Sequence, residues 1–187
     1  MASAATHPIY SKMLSLNPDI DKNYAFAVSN EIYNCHKKTG IDKFLLVALF
    51  NLESSLDYKQ KNCKTALLSE NTINNIINQI DIKPSKIKSI RKKLKNFLVT
   101  ACVDFGFGQI NIKTALKYKE CSNIEKLSND WRYNLNCSCT LLSEIKSNFG
   151  KAEPKTYWSR YNTSNPFKRK AYEELVLQYY PKFKMKE

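Results

Sequence analysis

The chain has 187 residues, the length of one domain with enough chain to bury a core. Hydrophobic residues make up 43%, but no apolar run nears the ~20 residues of a membrane-spanning helix. Four glycines argue against collagen-like chains, Gly-rich linkers and turn-dense β-sandwiches. The net charge of +13 draws the chain toward nucleic acid, anionic membrane or an acidic wall polymer, without defining a site.

Taken in order, the elements are helical. Ala25, Val28, Ile32 and Cys35 repeat at helical spacing over residues 21–38, with Asp21 placed to cap the start and Gly40 to stop the end. Asp42 opens the next helix. There Phe44–Phe50 and Leu52 leave no polar face, so this helix must be enclosed on nearly all sides. Its last turn carries Asn51, Glu53, Ser54 and Ser55.

Residues 64–100 read as a helical hairpin. Leu67, Leu68, Ile73, Ile76, Ile77 and Ile80 mark one arm, and after Pro84 the residues Ile87, Ile90, Leu94, Phe97 and Leu98 mark the other. Between Lys83 and Lys95 there are seven basic residues and no acidic one, a pattern read first as the solvated face of an amphipathic helix and only second as a dedicated anion-binding strip. Segment 101–111 breaks the pattern and holds two of the four glycines. Helical signals return at Ala115-Leu116, at Trp131–Phe149 before Gly150, and at Phe167–Tyr180 before Pro181. The predicted architecture is a compact, mainly α domain with at most a short β-like turn near Phe105.

The six cysteines do not form a zinc signature: the one close pair is Cys137-Ser138-Cys139, and the two histidines are His7 and His36. No metal and no cofactor is expected. Buried thiols and disulfides both remain open at this level. The first residues lack the basic and apolar regions of a secretory signal, so either export is not used or the signal is absent from this chain.

Two segments carry chemistry. Glu53 ends the most apolar helix, where partial desolvation disfavours its charged form and raises its pKa, as a general acid requires. Gly106-Phe107-Gly108-Gln109-Ile110-Asn111 permits close backbone approach and offers amide donors and acceptors suited to sugar hydroxyls.

The ordered series Glu53-Ser54-Ser55-Leu56, Gly106–Asn111, Asn136 within the Trp131–Phe149 helix, and Tyr161-Asn162 resembles the soluble lytic transglycosylases, which have a goose-lysozyme-like fold. The likeness spans roughly residues 24–180. The stretch from Tyr157 to Tyr161, with Lys170-Ala171-Tyr172 to Val176, is most similar to the small specialised transglycosylases of secretion, conjugation or phage-entry machines. Residues 1–20 then become an N-terminal extension and 21–187 a single catalytic domain. The interval from Glu53 to Gly106 is more than twice the family's common spacing, which makes residues 64–100 an inserted hairpin.

The resemblance implies cleavage of the β-1,4 bond between N-acetylmuramic acid and N-acetylglucosamine in peptidoglycan, with formation of a 1,6-anhydro ring. Glu53 would be the single catalytic acid and base. Ser54 would support its carboxyl or a sugar, Gln109 and Asn111 would contact the glycan, Asn136 would hold the N-acetyl region or its hydrogen-bond network, and Tyr161 would sit against Glu53. Phe105 and Phe107 serve as either apolar walls or core.

The alternatives are a hydrolytic muramidase with Asp57 or Asp104 as second carboxylate, a glycan-binding scaffold without activity, and a basic helical nucleic-acid-binding module, which lacks a recognition motif. The transglycosylase reading expects peptidoglycan strands as partner, a wall-spanning complex as a further one, and no nucleic acid. It expects periplasm, cell envelope or virion as location, where disulfides persist. Cys63 and Cys102 then form an attractive pair because they bracket the inserted hairpin.

Overall fold

Three helices, two before it and the last described one, pack against the apolar segment that the sequence marks as central. The computed structural model describes residues 7–67, 70–79, 84–95 and 98–180. Helix α1 (His7–Leu16) packs on α2 (Lys22–Thr39) and α3 (Lys43–Ser54). The Asp21 carboxylate accepts from the Tyr24 amide at 2.7 Å to start α2, and Gly40 at φ +63° ends it. Asp42 caps α3 by accepting from the Phe44 and Leu45 amides. Every residue from Leu45 to Phe50 is buried, as the absence of a polar face requires.

Residues 1–20 are not simply an extension. Ile9 and Met13 of α1 are fully buried in the core, so this helix belongs to the domain. Two buried positions four apart on a short helix make a stripe too narrow to stand out in sequence. Residues 1–6, where a leader was sought, lie outside the described residues.

The expected hairpin is helical only in its middle. Strand β1 (Lys61–Leu67) runs into α4 (Glu70–Gln79) and α5 (Pro84–Lys95), and the chain returns on β2 (Leu98–Phe105), antiparallel to β1. A two-residue strand β3 (Ile110–Asn111) pairs with β2, giving the order β1-β2-β3. The sheet therefore exceeds the short β-like turn expected from sequence. The run from Leu98 to Phe105 contains Val99, Thr100 and Val103, whose β-branched side chains favour a pleated strand, but short apolar runs fit either period. Of the positions used to predict the hairpin, Leu68, Ile80, Lys83 and Phe97 lie outside the described residues.

After β3 come α6 (Ile112–Ala115), a 3-10 turn at Lys119–Cys121, α7 (Ile124–Asn129), α8 (Trp131–Phe149), a 3-10 helix at Tyr157–Tyr161 and α9 (Pro166–Tyr179). Helix α8 is held twice by disulfides: Cys35–Cys139 joins it to α2, and Cys121–Cys137 joins it to the 3-10 turn. Cys63 stands opposite Cys102 in the β1–β2 register, and their side chains lie outside the described part. The chain is thus mainly α with a small antiparallel sheet, and among the described residues no helix is long and apolar enough to cross a membrane.

Candidate active site

Glu53 occupies the last turn of α3, where the chain leaves the core through two left-handed residues, Ser55 at φ +54° and Leu56 at φ +63°. Such backbone costs about 1–2 kcal/mol per residue for L side chains. It is held by contacts on either side: Leu56 is buried, and the Ser54 hydroxyl donates to the Phe107 carbonyl at 2.8 Å. The sharp exit leaves Glu53 half-buried at the wall of a cleft of about 490 Å³.

The glycine segment forms the adjoining wall and is fastened to three elements. From the α3 side, the Gly106 amide and the Gln109 side chain donate to the Gln60 carbonyl at 2.8 and 3.0 Å. From α8, Asn134 donates to the Phe105 and Leu127 carbonyls and accepts from the Gly108 amide, all within 2.9 Å. From the 3-10 helix, the Tyr161 hydroxyl donates to the Gly108 carbonyl at 2.7 Å. Both glycines are required by close approach. A Cβ on Gly106, itself at φ +67°, would meet the Asn134 amide, and one on Gly108 would strike the hydroxyls of Ser138 and Tyr161.

The Tyr172 hydroxyl of α9 donates to Glu53 Oε1 at 2.6 Å. Burial raises the Glu53 pKa above its ordinary value, hydrogen bonds from Tyr172 and Asn162 pull it down, and the charge of Asp104 pushes it up. Asp104 lies on β2 and lines the same cleft. Its two carboxylate oxygens accept from Asn62 at 2.9 Å and Asn111 at 2.8 Å. Burial raises the Tyr161 and Tyr172 pKa values, with Glu53 adding to both, so each phenol stays a neutral donor.

Behind the cleft, Glu153 ties the 3-10 helix to α9. It receives Arg160 Nε at 2.9 Å and Arg169 Nη2 at 2.7 Å, while Arg169 Nε donates to Ser159, whose hydroxyl reaches Glu173 at 2.6 Å. The Arg160 guanidinium, with Arg169 beside it, lowers the Glu153 pKa to about 2. This cluster fixes the elements that carry Tyr161 and Tyr172.

Of the residues singled out from sequence, Glu53, Gln109, Asn111 and Tyr161 meet around the cleft. Two of them spend side-chain groups on the fold: the Gln109 amide donates to backbone carbonyls, and Asn111 both caps α6 through its oxygen and donates to Asp104. Ser54 does not touch the Glu53 carboxyl, because its buried hydroxyl is turned onto the Phe50 and Phe107 carbonyls. Asn136 is exposed on another face of α8, beside Lys38 and Glu120. The residue that grips the glycine segment is Asn134, two positions earlier and so about 200° away around the helix. Phe107 is fully buried against Phe50, with ring centroids 4.9 Å apart, and Phe105 is buried in a second cluster, so both are core.

Sequence reasoning missed Tyr172 as a partner of Glu53, together with Asn62, Asn134 and Asn162. Tyr172 lies 119 positions from Glu53, and no local pattern distinguishes it from other core tyrosines. Among the described residues no group of His, Cys, Asp and Glu is arranged to hold a metal ion. Compared with family models, curated proteins and solved structures, the chain shows no match.

Proposed function

We propose that this chain is a lytic transglycosylase of lysozyme-like, goose-type architecture that cuts the N-acetylmuramic acid–β-1,4–N-acetylglucosamine bond of peptidoglycan. The observation that carries the reading is Glu53: a half-buried carboxyl with a raised pKa, held by a neutral phenol and opening on a cleft walled by amides. A carboxyl whose proton is held more tightly than in water can give that proton to a glycosidic oxygen as the C–O bond breaks. The resulting carboxylate then takes the proton of the muramic C6 hydroxyl while that oxygen bonds to C1. Glu53 ends protonated, and no water is consumed.

The other groups have supporting roles. Tyr172 orients the carboxyl and steadies it when ionised, and Asn162 does the same from the far end of the 3-10 helix. Tyr161 ties the Gly108 carbonyl, and with it the loop wall, to the 3-10 helix. The disulfides fit an enzyme of periplasm, cell envelope or virion, where peptidoglycan is met and disulfides persist. The likeness to transglycosylases of secretion, conjugation or phage-entry machines makes such a wall-spanning complex the proposed setting.

One observation favours a second reading, hydrolysis by a muramidase. Asp104 presents a second carboxylate in the same cleft, its oxygens accepting from Asn62 and Asn111, and a second carboxylate is what a hydrolase uses to activate water. Digestion of purified peptidoglycan by wild type and Glu53→Gln, with mass analysis of the sugar ends, tests both. Anhydro ends, lighter by one water than reducing ends and absent with Glu53→Gln, are expected. Reducing ends, lost also with Asp104→Asn, select hydrolysis, and undigested wall with the wild type removes both readings.

A further inference from the structure

One cluster of positive charge is not used by the cleft chemistry. Among the described residues no lysine or arginine lines the cleft, which carries the carboxyls of Glu53 and Asp104 among neutral amides, and Lys168 borders a separate hollow on the α9 side of Glu53. The basic residues of α5, by contrast, have no acidic residue in their helix, and the partner helix α4 has one, Glu70. Lys86, Lys88 and Lys92 are exposed. Helix α5 packs on α4, and Arg91 reaches across to the Asn74 side chain at 2.5 Å, so the hairpin is a folded unit.

This unit stands on the β1–β2 ribbon, and the same ribbon supplies the cleft wall at its other end through Asn62 and Asp104. The seven residues of β1 place the two ends about 20 Å apart at ~3.3 Å per residue. That separation is the length of a few sugar units, so a polymer running from the cleft along the ribbon would reach the cationic arm.

We propose that α5 is a docking arm for the carboxylates of peptidoglycan stem peptides, holding the strand whose sugar backbone lies in the cleft. The assignment rests on the reading of the cleft as a glycan site. Its reason is complementarity along the polymer. Peptidoglycan presents an uncharged ring backbone, which suits a cleft that already holds two carboxyls, and carries its acids outboard, where the lysines stand. Duplex nucleic acid carries a charge about every 1.7 Å of its axis and would set phosphates against Glu53 and Asp104.

The test is co-sedimentation of the whole protein with insoluble peptidoglycan across a salt series, using wild type, Lys86→Gln/Lys88→Gln/Lys92→Gln and the corresponding triple Arg variant. A soluble, uncharged N-acetylglucosamine oligomer reports on the cleft separately. The triple Gln variant should bind peptidoglycan about tenfold more weakly at low salt. It should lose most of the salt dependence and keep wild-type binding of the oligomer. The Arg variant should sediment as wild type does, and capping the stem-peptide carboxylates as amides should lower wild-type binding to the level of the Gln variant.

Equal sedimentation of wild type and the Gln variant overturns the arm, as does unchanged binding to peptidoglycan whose stem-peptide carboxylates are capped as amides. Tighter binding of a DNA duplex than of peptidoglycan, lost in the Gln variant, overturns it in favour of nucleic acid. Lysine-dependent sedimentation by a wild type that cuts nothing leaves the arm standing and removes the cleavage reading. Cutting by a wild type whose sedimentation ignores the lysines removes the arm alone.

Discussion

Two glutamates that both bond to the stretch Tyr157–Asn162 meet opposite fates. Glu53 is surrounded by neutral donors and a second carboxylate, and its proton is held more tightly than in water. Glu153 is gripped by two guanidinium groups and stays ionised down to about pH 2. Neither state follows from residue type. A carboxyl desolvated without a counter-ion becomes a proton donor, whereas one given two cations becomes a structural anion. The second supports the first, because the Glu153 cluster fixes the elements that deliver Tyr161 and Tyr172 to the cleft.

The contrast can be broken most severely at Glu53. Glu53→Gln should lower turnover of peptidoglycan by about 10²–10⁴-fold, the range for loss of a general acid, as measured by release of soluble fragments. The same variant should lose no stability at neutral pH. With a native pKa above the unfolded one, ionised Glu53 costs nothing below the ordinary carboxylate range and opposes folding as pH rises through its raised value. Thermal melts of wild type and variant at neutral and acid pH check the sign.

Next in size is the clamp on the loop between the two sites. Asn134→Ala leaves the buried Phe105 and Leu127 carbonyls and the Gly108 amide without their partner, so chemical denaturation should show a loss of about 2–4 kcal/mol. Glu153→Gln should lower Tm by a few degrees near neutrality and flatten the acid limb. The wild-type carboxylate, with its pKa depressed, contributes stability that is full above its ordinary value of 4.5 and is lost as pH falls toward about 2. The smallest effects sharpen the Glu53 side. Tyr172→Phe removes a bond to the anion and should move the alkaline limb of the pH–rate profile upward. Asp104→Asn removes a like charge and should move it downward.

Much of the helical frame is legible along the chain because its causes are local. Asp21, Asp42 and Gly40 act within one turn of where they stand, and the uniformly apolar stretch of α3 announces its own enclosure. The loop at Gly106–Asn111 is legible by its composition, although the need for glycine there comes from distant side chains of α8 and the 3-10 helix that press on the backbone. Less local features escape. Strand β2 is an apolar run whose period is ambiguous until β1 pairs with it, and Asn134 differs from Asn136 only in the angle at which α8 meets the loop.

By itself the amino-acid order determined the caps, the apolar stripes, the central helix and the presence of one carboxylate at its greasy end. Those properties rest on interactions spanning a few residues, which side-chain chemistry and helical pitch control directly. Only the tertiary structure decided which phenol holds that carboxylate, which asparagine grips the loop, that Asp104 faces the same cleft, and that a basic helix stands at the far end of its wall. Each of these is a contact or a spacing between segments far apart in the chain. Its geometry is set by how helices and strands pack, and not by any pattern within them.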